Sequence, residues 1–132
     1  MKQTHLIITA LMLVVGCSSD KETPSSQARE PIDGSTLVGK NGVWHAPDSD
    51  KPYSGVAVRY YGNGQKRAEG TYKDGELDGF STLWYENGQK SEEGTWKDEK
   101  RDGLWTDWYE NGQKGAEVTW KDGKQIGKIK RF

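Results

Sequence analysis

The chain reads as an all-β protein, an open single-layer array of antiparallel β-hairpins that forms a repeat solenoid after a flexible tether. Three observations predict this. Asn63-Gly64, Asn87-Gly88 and Asn111-Gly112 recur every 24 residues, and Glu69, Glu93 and Glu117 keep the same spacing, as do Tyr72, Trp96 and Trp120. Between these turn signals apolar and polar residues alternate with period two, the pattern of strands rather than helices. A short fixed period means that each copy is one supersecondary unit that cannot bury a face alone and stacks on its neighbours.

Residues 1–16 are of a different kind. Lys2 supplies a positive start, Leu6 to Val15 is apolar apart from Thr9, and Gly16-Cys17 closes the run. The run is shorter than the roughly 20 apolar residues that span a bilayer, and it reads as a cleaved export signal. Val14-Val15-Gly16-Cys17 resembles the bacterial lipobox, with Val14 where Leu is commoner. That resemblance implies lipidation of Cys17 by palmitate-like chains, with Cys17 first in the mature protein. Ser18 behind it resembles the signal for transfer to the outer membrane. Several acyl chains anchor firmly where a single myristoyl holds only marginally. Cys17 is the sole cysteine, so a disulfide framework or a cysteine metal site within one chain is excluded.

Residues 17–35 are rich in Ser, Pro and charge with little to bury, the composition of a flexible linker. Residues 36–54 read as an N-terminal cap, a hairpin around Asn41-Gly42 followed by the loop from Pro47 to Pro52. Residues 55–132 carry the repeats. A two-residue turn at Asn63-Gly64 would set Tyr60 opposite Arg67 and mix the faces. A three-residue loop, Gly62-Asn63-Gly64, pairs Val58 with Ala68 and Val56 with Gly70, so a type I turn followed by a left-handed Gly64, Gly88 or Gly112 is expected. The even-numbered face is then the apolar one throughout, with Glu92 its single misfit. Lys-Asp-Gly at 73–75 and 121–123 makes the other bend, with Glu99 replacing glycine in the middle copy. The last residues begin a further repeat and stop, which puts Phe132 in the row of Tyr60, Trp84 and Trp108. The aromatic complement is six Trp, six Tyr and two Phe, so the packing must be built from rings, each able to bury about 150–250 Å².

Glu93-Gly94-Thr95-Trp96-Lys97-Asp98 through Gly103, continued by Tyr109-Glu-Asn-Gly, resembles the MORN repeat (membrane occupation and recognition nexus) in its bacterial variant, over about Tyr53 to Phe132. It departs from the common Gly-x-Gly, since Trp105 stands two places after Gly103. The resemblance implies rows of hairpins that serve as scaffolds and contact surfaces for proteins or lipids, without catalytic residues of their own. Many bacterial chains of this variant carry the label antitoxin.

The net charge of −1, with both signs interleaved, gives no reason to expect a nucleic acid. Lysines on the terminal strand fit edge protection. Catalysis finds no constellation, because His5 leaves with the signal and His45 stands alone, so neither a base nor a metal site has partners. No cofactor is expected. Glu69, Glu93 and Glu117 read as a solvated ladder beside neighbouring lysines and arginines. The favoured function is a non-enzymatic envelope lipoprotein, attached to the membrane through lipidated Cys17, whose repeats bind or scaffold another envelope protein. The alternative is an antitoxin or immunity protein that neutralises a toxin. Tyr61, Tyr85 and Tyr109 recur on the odd face and, with Leu83 and Trp105, form a candidate binding stripe. A structural role for each tyrosine over its hairpin turn, beside Gln65, Gln89 or Gln113, is the other reading. The partner and the oligomeric state stay open.

Overall fold

The computed structural model describes residues 29–132. The expected signal, Cys17 and the first part of the tether lie outside the described residues. Strands β1 (Ile32–Asp33), β2 (Val38–Lys40) and β3 (Val43–His45) precede the array. The array itself comprises β4 (Gly55–Tyr60), β5 (Lys66–Lys73), β6 (Glu76–Trp84), β7 (Lys90–Lys97), β8 (Lys100–Trp108) and β9 (Lys114–Lys121), followed by β10 (Lys124–Gln125) and β11 (Lys130–Arg131). These form one open sheet in the order β1-β4-β5-β6-β7-β8-β9-β10, with β11 also on β9, while β2 and β3 pair as a separate hairpin. The sheet is mostly antiparallel and does not close into a barrel.

The Asn-Gly tips are three-residue loops, as expected. The Gly64 N–H donates to the Tyr61 carbonyl at 3.0 Å and the Tyr61 N–H to Gln65 at 2.8 Å, while Gly64 takes φ 85°. This is a type I turn with a left-handed glycine. The register behind it differs from expectation. Tyr60 stands opposite Lys66, but Arg59 stands opposite Ala68, Val58 opposite Glu69 and Ala57 opposite Gly70. Arg67 is therefore an unpaired bulge residue. Ser91 and Gly115 occupy the same place in the next two hairpins, between Trp84↔Lys90 and Leu83↔Glu92, and between Trp108↔Lys114 and Asp107↔Ala116.

One extra residue exchanges the faces of everything beyond it. The uniform even apolar face is thereby corrected, and the two-residue bends, with Lys73 opposite Glu76 and Lys97 opposite Lys100, likewise pair odd residues with even ones. Odd residues of β4, β6 and β8 share a face with even residues of β5, β7 and β9. Across the other bends the offset is two residues, since Gly70 opposes Ser81 and Tyr72 opposes Leu77, which leaves the faces unchanged.

One face, the ladder face, carries Tyr60, Trp84, Trp108 and Phe132. Lys66 Nζ lies 5.6 Å from the Trp84 ring centre, Lys90 Nζ 5.6 Å from Trp108 and Lys114 Nζ 5.2 Å from Phe132. Phe132 thus occupies the place expected for it. The same lysines pair with Glu69, Glu93 and Glu117 at 2.6, 2.6 and 2.7 Å. Residues three apart point to opposite faces of a regular strand; here they meet because the bulge lies between them.

Where the N-terminal cap meets β4, Leu37, Tyr53 and Ala57 form a cluster of buried apolar side chains, with Ile32, Trp44, Ala46 and Tyr72 packed against it. The cap continues the backbone pattern of the array: the Trp44 N–H donates to Gly75 at 2.9 Å and the Gly75 N–H to Tyr53 at 2.8 Å. β1 runs parallel to β4, with Ile32 opposite Ala57. It lies within the stretch expected as linker and covers part of the outer edge of β4, where unpaired N–H and C=O groups would otherwise face solvent.

The second bends are two-residue turns with both central residues at positive φ: Asp74 at 49° with Gly75 at 83°, Asp122 at 48° with Gly123 at 78°, and Asp98 at 47° with Glu99 at 59°. A side chain in that region costs about 1–2 kcal/mol, partly offset by the entropy a glycine loses on folding. Glu99→Gly is therefore expected to stabilise the fold by about 0.5–1 kcal/mol and to raise Tm by a few degrees, checked by thermal and urea unfolding.

Candidate functional site

The face opposite the ladder is hollowed into a trough of about 170 Å³, lined by Ala57, Ala68, Gly70 and Ser81 on its floor and by Leu77, Leu83, Tyr72, Trp96 and Trp105 around them, with Arg59 and Gly34 at its N-terminal end. Small residues make the floor and rings make the walls. Trp105 sets the C-terminal wall. It is 4% exposed, it meets Trp96 edge to face with ring centres 5.2 Å apart, and its Nε1 donates to the Thr95 carbonyl at 3.1 Å. Its ring lies directly over Gly94, where an added Cβ would stand 2.3 Å from it. Only glycine fits beneath that indole.

Glu92, with Arg59, Glu69 and Ser81, supplies the polar part of this lining. Its carboxylate accepts a hydrogen bond from the Arg101 guanidinium. Arg101 is in turn enclosed by three indoles, its Cζ 4.1 Å from the Trp105 ring centre, 5.3 Å from Trp120 and 6.0 Å from Trp96. Burial pushes the Glu92 carboxyl above the usual range; Arg101 pulls the other way, and Asp107, directly opposite on β8, adds to the rise. The even-face misfit in the sequence is thus an acid at the trough. Arg101 carried no comparable signal, because a lysine-rich turn beside it reads as solvated charge.

The residues of the expected stripe fall in two places. Leu83 and Trp105 come together in the trough. The tyrosines sit at the hairpin tips. Tyr61 donates its hydroxyl to the Trp84 carbonyl at 2.7 Å and Tyr85 to Trp108 at 2.8 Å, each reaching the next hairpin. Asn63 and Asn87 make parallel bridges to the Glu86 and Glu110 carbonyls at 3.1 and 2.8 Å. Tyr109 has no following hairpin and is 57% exposed. On the bend side, backbone bonds from Glu99 N–H to Leu77 and from Gly123 N–H to Arg101, at 3.0 and 2.9 Å, tie each repeat to the one before.

An open sheet of stacked hairpins, joined tip to tip and bend to bend, with an apolar trough on one face and a charged aromatic ladder on the other, defines a repeat protein built to present surface. The chain belongs to the MORN repeat variant family, which matches residues 53–74, 77–98 and 101–122 in three consecutive copies. No curated protein matches the chain, and no solved structure matches it.

Two predictions follow from this geometry. Tyr85→Phe removes a hydroxyl that satisfies a carbonyl of the next hairpin and should cost about 1 kcal/mol, whereas Tyr109→Phe should leave stability unchanged; urea unfolding of the two variants checks it. Because the folded carboxyl of Glu92 is raised, its charged form opposes folding at neutral pH and that penalty is relieved as pH falls through the raised value. Glu92→Gln should therefore be at least as stable as the native chain at pH 7. Its advantage should vanish on acidification, read from paired melting curves across pH.

Proposed function

We propose that the protein is a non-enzymatic envelope lipoprotein, anchored through Cys17, whose MORN repeats form a protein-binding or scaffold module. The trough carries this reading. At about 170 Å³ it is smaller than the roughly 300–1,000 Å³ of sites that enclose small-molecule ligands, and it lies open along the sheet, dimensions suited to a few side chains of a protein partner. Exposed apolar surface rimmed by polar groups is the usual mark of such contacts. The sequence pattern at residues 1–17 supports the anchor, and an anchored sheet would meet partners within the envelope. A toxin acting there is the alternative partner.

The test is crosslinking in intact cells that make the protein, with identification of what is attached. Leu83→Glu places a charge in the trough at a residue already 37% exposed. It should leave Tm nearly unchanged and abolish the crosslink. Undiminished capture by this variant would contradict the assignment. Intact mass of the purified native protein should show a chain beginning at acylated Cys17, and membrane attachment without acyl mass would contradict the anchor.

A further inference from the structure

Arg59 lines the trough and also a second, wider hollow of about 510 Å³ beside the first hairpin tip, bounded by Asp33, Ser35, Leu37, Trp44, Tyr60 and Arg67. Two guanidiniums line this hollow, and each lies over an aromatic ring and, among the described residues, outside any ion pair. Arg59 Cζ lies 5.9 Å from the Trp44 ring centre, with its Nε donating to the Gly34 carbonyl at 3.3 Å, and Arg67 Cζ lies 5.8 Å from the Tyr61 ring centre.

The neighbouring carboxylates have their hydrogen bonds elsewhere. Glu69 is paired with Lys66 at 2.6 Å, and Asp33 accepts both the N–H and the hydroxyl of Ser35, at 2.8 and 2.7 Å, which, with a weaker pull from the Arg59 charge, holds its carboxyl below the usual range. Among the described residues neither Arg59 nor Arg67 has an ion-pair partner, in contrast to Arg101, Lys66, Lys90, Lys114 and Lys121. Arginines resting over aromatic rings present their planar donors to a carboxylate at a lower entropic cost than free ones.

From Arg59 the lining turns apolar through Ala57, Ala68, Leu77 and Leu83 to Trp105, and then reaches Glu92. An acyl chain laid along it would strip water from the Glu92–Arg101 pair and offer no hydrogen bond to the carboxylate's remaining lone pairs, which is costly. A peptide can place N–H groups there. Building on the protein-binding reading above, we infer that the trough takes an extended segment of a partner protein in which an Asp or Glu is followed by apolar residues. The acid bridges Arg59 and Arg67, and the apolar side chains lie against Leu77, Leu83 and Trp105.

The experiment selects a displayed random heptapeptide library on the immobilised full chain. Selected peptides are then titrated by tryptophan fluorescence against the native chain, Arg59→Gln/Arg67→Gln and Leu83→Glu. Enrichment of Asp or Glu before apolar residues is expected, with binding weakened about tenfold or more in the double arginine variant, a change of about 1.4 kcal/mol per tenfold. Changing the peptide's own acid to its amide should weaken binding equally, which tests the contact without altering the fold. Peptides enriched for apolar or basic residues but lost with Leu83→Glu would overturn the acidic assignment and leave the protein-binding reading standing. Peptides indifferent to Leu83→Glu, or no enrichment at all, would overturn both. Displacement of the selected peptides by vesicles of anionic phospholipid would assign the trough to lipid and overturn the proposal.

Discussion

An antiparallel ladder forces residues that face each other to share a side of the sheet, so a single unpaired residue reassigns every side chain beyond it. In this protein the unpaired residues are Arg67, Ser91 and Gly115, one behind each Asn-Gly tip. They set Leu83 and Ser81 of β6 on the face of Glu92 and Gly94, which the two-residue bend at Asp98-Glu99 shares with Trp105, and bring Lys66, Lys90 and Lys114 within reach of Glu69, Glu93 and Glu117. Without them Leu83 would stand on the side of the sheet away from Trp105. The ladder would lose its ion pairs, although exposed pairs of this kind contribute little by themselves; their value lies in fixing which side chains stand together.

Stability in a single sheet without a second layer comes from joining one repeat to the next at both strand ends. Tyr61 and Tyr85 hold the tips, and backbone bonds across the bends hold the other side. Among the described residues the buried apolar cluster lies where the N-terminal cap meets β4, so the repeats depend on neighbours in series, as in other solenoids. At the last repeat the same groups lack successors: Tyr109 is exposed, Asn111 turns to its own Gln113 at 3.1 Å, and the Trp120 Nε1 is buried without a partner among the described residues. The short strands β10 and β11 lie along β9 and supply part of what a further hairpin would give.

The repeat period, the three-residue tip turns, the places of the other bends, the cap hairpin and the position of Phe132 were legible in the sequence, because each rests on local chemistry: Asn-Gly for left-handed backbone, Gly or Asp at the bends, rings in register. The faces were not legible from alternation alone, since a bulge leaves no turn residue to mark it; Arg67 and Ser91 are ordinary strand residues. A signal was nevertheless present in Lys66-x-x-Glu69 and its two copies, where opposite charges three apart make sense on a strand only if a bulge brings them to one side. The same reasoning explains Glu92, a misfit on the expected face and a partner for Arg101 on the observed one. β1 escaped notice because a parallel edge strand of two residues, Ile32–Asp33, has no periodicity to read. For Tyr61 and Tyr85 the sequence left a binding stripe and a structural role over the turn both open, because a hydroxyl reaching the following hairpin is a contact across 23 residues, invisible to local pattern.

The register is the claim on which the trough, the ladder and the peptide site all stand, and interstrand nuclear Overhauser effects measure it directly. The account predicts strong effects between the Trp105 indole protons and the Gly94 α-protons, with Leu83 close to Ala68, and none that place Val58 and Ala68 side by side on one face. Methyl contacts between Val58 and Ala68 as direct cross-strand neighbours, with Trp105 remote from Gly94, would contradict it.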